Sequence, residues 1–175
     1  MSTIEETDFL EPRLQVEPLI EDLLTNLGFD VNDPGFIDTP FRVAEFYRSF
    51  VLRSEPIIQL FPSSGQGEVS LNNYETWGLC PHHLLPVKYI VSICYNPAGM
   101  VFGISKMPRI VDYVLRTMPL QEDLPRLIVE YILSKLDIKN CSCSVCGMHL
   151  CMVMRGIRAK DCSLTTSYSY DARSK

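Results

Sequence analysis

Histidine is scarce in this chain: 175 residues contain three, at 82, 83 and 149. Any chemistry that needs an imidazole must draw on those positions. Other absences narrow the class. No apolar run approaches the ~20 residues that cross a bilayer, so no membrane association is expected. The opening "MSTIEETDFLEPR" is acidic and lacks the apolar core of a signal peptide. A cytoplasmic, reducing location is the resulting expectation. Basic charge is not in excess either. The net charge of −5 gives no field for non-specific nucleic-acid binding, and an anionic ligand would need a local basic pocket. There is no internal repeat and no low-complexity tract.

The rest of the composition is that of a globular chain, 46% hydrophobic and 21% charged. Its length suits one domain with a sizeable core. Cysteine is plentiful, at 80, 94, 141, 143, 146, 151 and 162. An odd count with no secretory signal argues against a disulfide framework. Metal binding, catalysis or simple burial are the remaining uses.

Apolar positions at Val16, Leu19, Ile20, Leu23, Leu24 and Leu27 predict a helix over 14–28, with Gly28 as its stop. Asp38 or Thr39 caps a second helix, "FRVAEFYRSFVL", with Pro40 in its first turn. "FPSSGQGEVSLNN" reads as a loop. "VKYIVSICY" is a buried strand, "NPAG" a hairpin turn, and "MVFGI" the returning strand. "SKMPRIVDYVLRTM" is a helix capped by Ser105, and "PLQEDLPRLIVEYILSKL" another whose start Pro119 and Pro125 confine. "CSCSVCGMHLCMVMRG" and "SLTTSYSY" read as two long strands. The expected class is α+β around a mainly antiparallel sheet.

The stretch "CPHHLLP" concentrates the scarce residues. In one helical turn Cys80 and His83 share a face and can reach one ion, while His82 points elsewhere. Pro81 suits the first position of such a turn, with Cys80 as its cap. On a strand, His149 and Cys151 share a face, and that parity extends to Val153 and Arg155. Thiolate and imidazole from two elements suit zinc, and three protein ligands leave a fourth position for a water whose pKa falls toward neutrality. The alternative is burial. It is preferred for Cys141 and Cys143; Cys146 has the wrong parity to join Cys151 unless Gly147 marks a bulge. For histidine it is the weaker reading, because each histidine has a cysteine two or three residues away. Lys106 and Arg109 follow Ser105 on a helix, and Arg155 and Arg158 flank "RGIR"; they are a phosphate site at a helix N-terminus or a solvated face. Gln121 and Glu122 offer an amide and a carboxylate, for a base or for helix capping.

In this order, "TPFRVAEFY", "CPHHLLP", "FGISKMPRIVD", "LQEDL" and "HLCMVMRGI" resemble the successive signature segments of the GTP cyclohydrolase I family, from about Leu23 to about Ser169. The resemblance implies a tunnelling fold: N-terminal helices over 1–60, then a catalytic unit over 61–175 with a four-stranded antiparallel sheet and two helices packed on it. In the family such sheets join into an oligomeric β-barrel, a homodecamer of two pentamers with sites between subunits. It implies zinc on Cys80, His83 and Cys151, with His82 and His149 catalytic. It implies that Glu122, helped by Gln121, holds the guanine, and that Ser105, Lys106, Arg109 and Arg155 line the ribose and triphosphate end. Arg42 would reach a neighbour's triphosphate. The implied reaction opens the guanine ring of GTP at C8, releases formate and closes a pterin, 7,8-dihydroneopterin triphosphate. The alternatives are a same-fold enzyme for another purine nucleotide, one that stops at ring opening, or a non-catalytic zinc-binding homologue.

The chain also departs from the family pattern. Pro81 stands where a glutamate is usual, Asp123 for an arginine, Tyr89 for a glycine, Ser92 for a histidine and Cys146 for an acidic residue. None of these removes an implied ligand or catalytic histidine.

Overall fold

The computed structural model describes residues 16–51, 54–65 and 67–174. The first two residues of the expected 14–28 helix, and the "MSTIEETDFLEPR" segment, lie outside them. The contacts divide the chain into two compact units, 1–52 and 53–175.

In the first unit, α1 (Val16–Asn26) and α2 (Thr39–Val51) pack together. Gly28 ends α1 at φ +88°, and the Phe29 amide reaches back to the Leu24 carbonyl at 3.0 Å. The Arg42 amide donates to the Asp38 carbonyl at 3.1 Å, which starts α2 with Pro40 in its first turn. Arg48 is buried and bridges Glu17 at 3.2 Å and Glu45 at 2.9 Å.

The second unit runs β1 (Leu60–Pro62), β2 (Val69–Leu79), β3 (Pro86–Pro97), β4 (Met100–Phe102), α3 (Lys106–Leu115), α4 (Leu124–Lys135), β5 (Ile138–His149), α5 (Leu150–Val153) and β6 (Leu164–Asp171). Four strands form an antiparallel sheet in the order β2-β3-β5-β6. Strict alternation along β3 sends Val87, Tyr89, Val91, Ile93 and Tyr95 to one face. There they meet Ile110, Val111 and Val114 of α3 and Leu124, Ile128 and Ile132 of α4 in the hydrophobic core. Cys141 and Cys143 point into the same core, and burial pushes both thiols up to about 12. They are packing residues, as the composition suggested.

Four expectations are corrected. "FPSSGQGEVSLNN" is not all loop: Phe61 and Pro62 of β1 and the start of β2 fall inside it. The alternation of Val69 and Leu71 against the core outweighs the surrounding Ser and Gly. "MVFGI" does not return along β3. Both edges of β3 are occupied by β2 and β5, so β4 pairs with β1, Leu60 opposite Phe102. The helix after Pro119 begins only at Leu124, leaving Gln121 and Glu122 in the turn before it. The long strand through "HLCMVMRG" stops at His149, because β3 runs out opposite His149 and β6 opposite Gly147. Residues beyond have no ladder partner and coil into α5. Strand parity therefore does not govern Cys151, Val153 and Arg155.

Candidate metal and catalytic site

The loop after β2 is closed by its own backbone. The Cys80 amide donates to the Leu85 carbonyl at 2.9 Å, and the Cys80 carbonyl accepts from the amides of His83 at 3.3 Å and Leu84 at 2.8 Å. The proline amide is not needed in this turn, so Pro81 fits it. Leu84 sits at φ +54°, an uncommon conformation for a bulky residue and a strain typical of functional loops. The turn leaves Cys80 buried, His82 and His83 exposed, and brings His83 Nδ1 to 3.7 Å and His82 Nδ1 to 4.0 Å from Cys80 Sγ.

The second half comes from the β5–α5 junction. The single turn of α5 brings Cys151 Sγ to 3.9 Å from His149 Nδ1 and 3.8 Å from Cys80 Sγ. Ligand atoms of Cys80, His149 and Cys151 all lie within 4.8 Å of one another. This donor set can be tested for fit. Two sulfurs bound at ~2.3 Å and subtending a tetrahedral angle are about 3.8 Å apart, and a sulfur and an imidazole nitrogen about 3.6 Å. The thiol pair has that spacing, and His83 and His149 each approach it on one thiol. Burial raises the Cys151 thiol, and its neighbour Cys80 raises it further. A bound dication would reverse that by favouring both thiolates.

Gln121 is buried beneath His149. Its Oε1 lies 2.6 Å from His149 Nε2, its Nε2 donates to the Leu164 carbonyl at 2.5 Å, and its own carbonyl accepts from Thr166 Oγ1 at 3.0 Å. Burial lowers the His149 pKa; Glu122 opposes that shift and His82 adds to it. Glu122 is exposed at the turn before α4.

The phosphate-end candidates are separate features of the same unit. Ser105 occupies the N-cap position of α3 but makes no capping hydrogen bond through its side chain, so the expected cap is positional only. Lys106 follows it, and Arg109 is exposed one turn on. Arg155 is exposed beyond α5. Arg42, in the first unit, pairs with Asp38 at 2.9 Å.

Tyr89 is a site neighbour that residue chemistry alone did not single out. It is 1% exposed, and its ring stands edge-on to His149 with centroids 6.2 Å apart. Burial raises its phenol well above the ordinary range, with Cys80, Glu122 and Cys151 adding to the effect. The available signal was parity: Tyr89 shares the inward face of Val87 and Val91. Gly147 is not a bulge, since β5 keeps register with both neighbours through it. It permits close approach instead: a Cβ there would collide with Gln121 Oε1 and come within 3.0 Å of Tyr89 Cε1.

Comparison with known proteins gives the family. The family model for GTP cyclohydrolase I matches residues 16–174. The protein named GTP cyclohydrolase 1 2 from Pseudomonas aeruginosa is 34% identical over 160 residues, covering 88% of each chain. GTP cyclohydrolase 1 from Enterococcus faecalis is 34% identical over 162 residues, 89% of this chain and 87% of that one. Its counterpart from Leptospira biflexa is 35% identical over 158 residues, 87% of this chain and 86% of that one. With its scarce histidines gathered around two thiols and its whole described length matched, this chain belongs to the GTP cyclohydrolase I family.

Proposed function

We propose that this chain hydrolyses GTP at C8 of the guanine ring, releasing formate and forming 7,8-dihydroneopterin triphosphate, the entry to pterin and folate-type biosynthesis. The observation that carries the reading is the pair of thiols 3.8 Å apart, with imidazole nitrogens 3.7 and 3.9 Å from them, in a chain of this family. In this reading Cys80, His83 and Cys151 hold zinc. Zinc held there supplies Lewis acidity, lowering the pKa of a water at an open fourth position.

The remaining work falls to the chain. His149 and His82 carry protons to and from the opening ring, a task suited to imidazole near neutral pH. Glu122 accepts the N–H groups of the guanine edge. Ser105 and Lys106 at the N-terminus of α3, with Arg109 and Arg155, offset the triphosphate charge. Arg42 acts on the triphosphate of a neighbouring subunit. That role requires an assembly. Among the described residues β2 and β6 are the outer strands of the sheet. Edge-to-edge continuation of such sheets would close a tunnelling-fold barrel, in two back-to-back pentamers working in the cytoplasm.

The test is to load the full chain with zinc, add GTP, and assay formate together with the pterin fluorescence that appears after oxidation. Both products are expected. Formate without pterin would mean an enzyme that stops at ring opening, and neither product would remove the proposal.

A further inference from the structure

We propose that Gln121, Tyr89 and Gly147 form a socket that fixes the His149 imidazole as one tautomer, with its hydrogen on Nε2 and its Nδ1 lone pair turned to the thiols. Gln121 and Tyr89 are then positioning residues. The first argument is satisfaction of the amide. Gln121 Nε2 donates to the Leu164 carbonyl, and the Val145 carbonyl lies 3.5 Å away. The amide therefore cannot flip without setting oxygen against oxygen. Its Oε1 faces His149 Nε2 at 2.6 Å and can only accept, so Nε2 carries the hydrogen. In the neutral ring the nitrogen left bare is Nδ1, the one 3.9 Å from Cys151 Sγ.

The second argument is shape. The Tyr89 ring lies between two cross-strand glycines: a Cβ at Gly78 on β2 or at Gly147 on β5 would come within 3.0 Å of it. The slot brings the ring edge-on to His149 from one side while Gln121 engages Nε2. Gly147 serves both partners, since any side chain there would displace the amide and press on the ring. The socket also gives the Gln121 side chain a use other than contact with a base, because its oxygen and nitrogen are committed inside the protein.

The proposal rests on the reading of His149 as a proton carrier only for its catalytic consequence; the tautomer can be tested without turnover. Label the full chain with nitrogen-15 in the histidine rings, sediment it, and record solid-state NMR spectra. Three histidines make assignment tractable, with His149→Gln identifying the resonance. The expected spectrum of the wild-type chain has Nε2 of His149 protonated and Nδ1 bare. Gln121→Met should let both tautomers appear. In the zinc-loaded enzyme, Gln121→Met should lower kcat about 10–100-fold with KM for GTP unchanged, as loss of an orienting partner does. A neutral His149 ring with its hydrogen on Nδ1 and Nε2 bare in the wild-type chain would overturn the socket whatever the activity. A rise in KM with kcat intact would overturn it in favour of a base-holding role. Absence of GTP turnover in the wild type would overturn the proposed function and leave the tautomer result standing.

Discussion

Gly147→Ala should destabilise the fold far more than the removal of a glycine ordinarily does. The added methyl would coincide with Gln121 Oε1 and stand 3.0 Å from both Gln121 Cδ and Tyr89 Cε1. Neither neighbour can yield cheaply. Gln121 is tied to Leu164 and His149, and Tyr89 is 1% exposed between two strands. Overpacking costs about 1–3 kcal/mol. Losing one or two Gln121 hydrogen bonds adds about 0.5–1.5 kcal/mol each. A total of about 1.5–6 kcal/mol follows. Gly99→Ala is the control. It has nothing within 4 Å of an added Cβ but a φ of +107°, so only backbone strain opposes it, about 1–3 kcal/mol. The assay is urea unfolding at one fixed protein concentration, comparing midpoints at unchanged slope. Gly147→Ala within about 0.5 kcal/mol of wild type would refute the packing argument.

His149→Ala should abolish ring opening while zinc stays near one per chain, measured by metal analysis of the purified protein; loss of the metal would make His149 a ligand in place of His83. Pro81→Glu should leave zinc content unchanged, because the 80–85 turn is closed through the Cys80 and Leu85 carbonyls and not through residue 81. Thiol reagents at pH 8 should label exposed Cys162 readily and leave Cys141 and Cys143 unmodified until the chain unfolds, because their pKa values of about 12 keep them protonated and the core shields them; mass spectrometry of the labelled peptides reads this directly.

Much of the fold was legible where one physical signal dominated. The β-branched and aromatic run "VKYIVSICY" reads as a buried strand and is β3, the first helix shows its apolar stripe and its stop at Gly28, and the second its start around Pro40. The errors share a cause. Strand pairing is decided by which edges remain open, so nothing local in "MVFGI" says that β3 is already flanked and that Leu60–Pro62 is the partner. Likewise "HLCMVMRG" has strand-like composition, but its ladder ends at His149 because its neighbours end there. That mistake bore on the site, since a helical turn, not strand parity, brings Cys151 to His149. The residue types of the site were legible because the histidines are few and each has a cysteine close by. The socket under His149 was not, because it depends on long-range approach: Gln121 meets Leu164 and His149 across 43 and 28 residues.

The most direct test of the central claim uses GTP carrying carbon-13 at C8, incubated with the zinc-loaded chain and followed by NMR. The account predicts that the label leaves as formate, one per pterin formed. Label retained in the nucleotide, with the metal site filled and the chain folded, would contradict it.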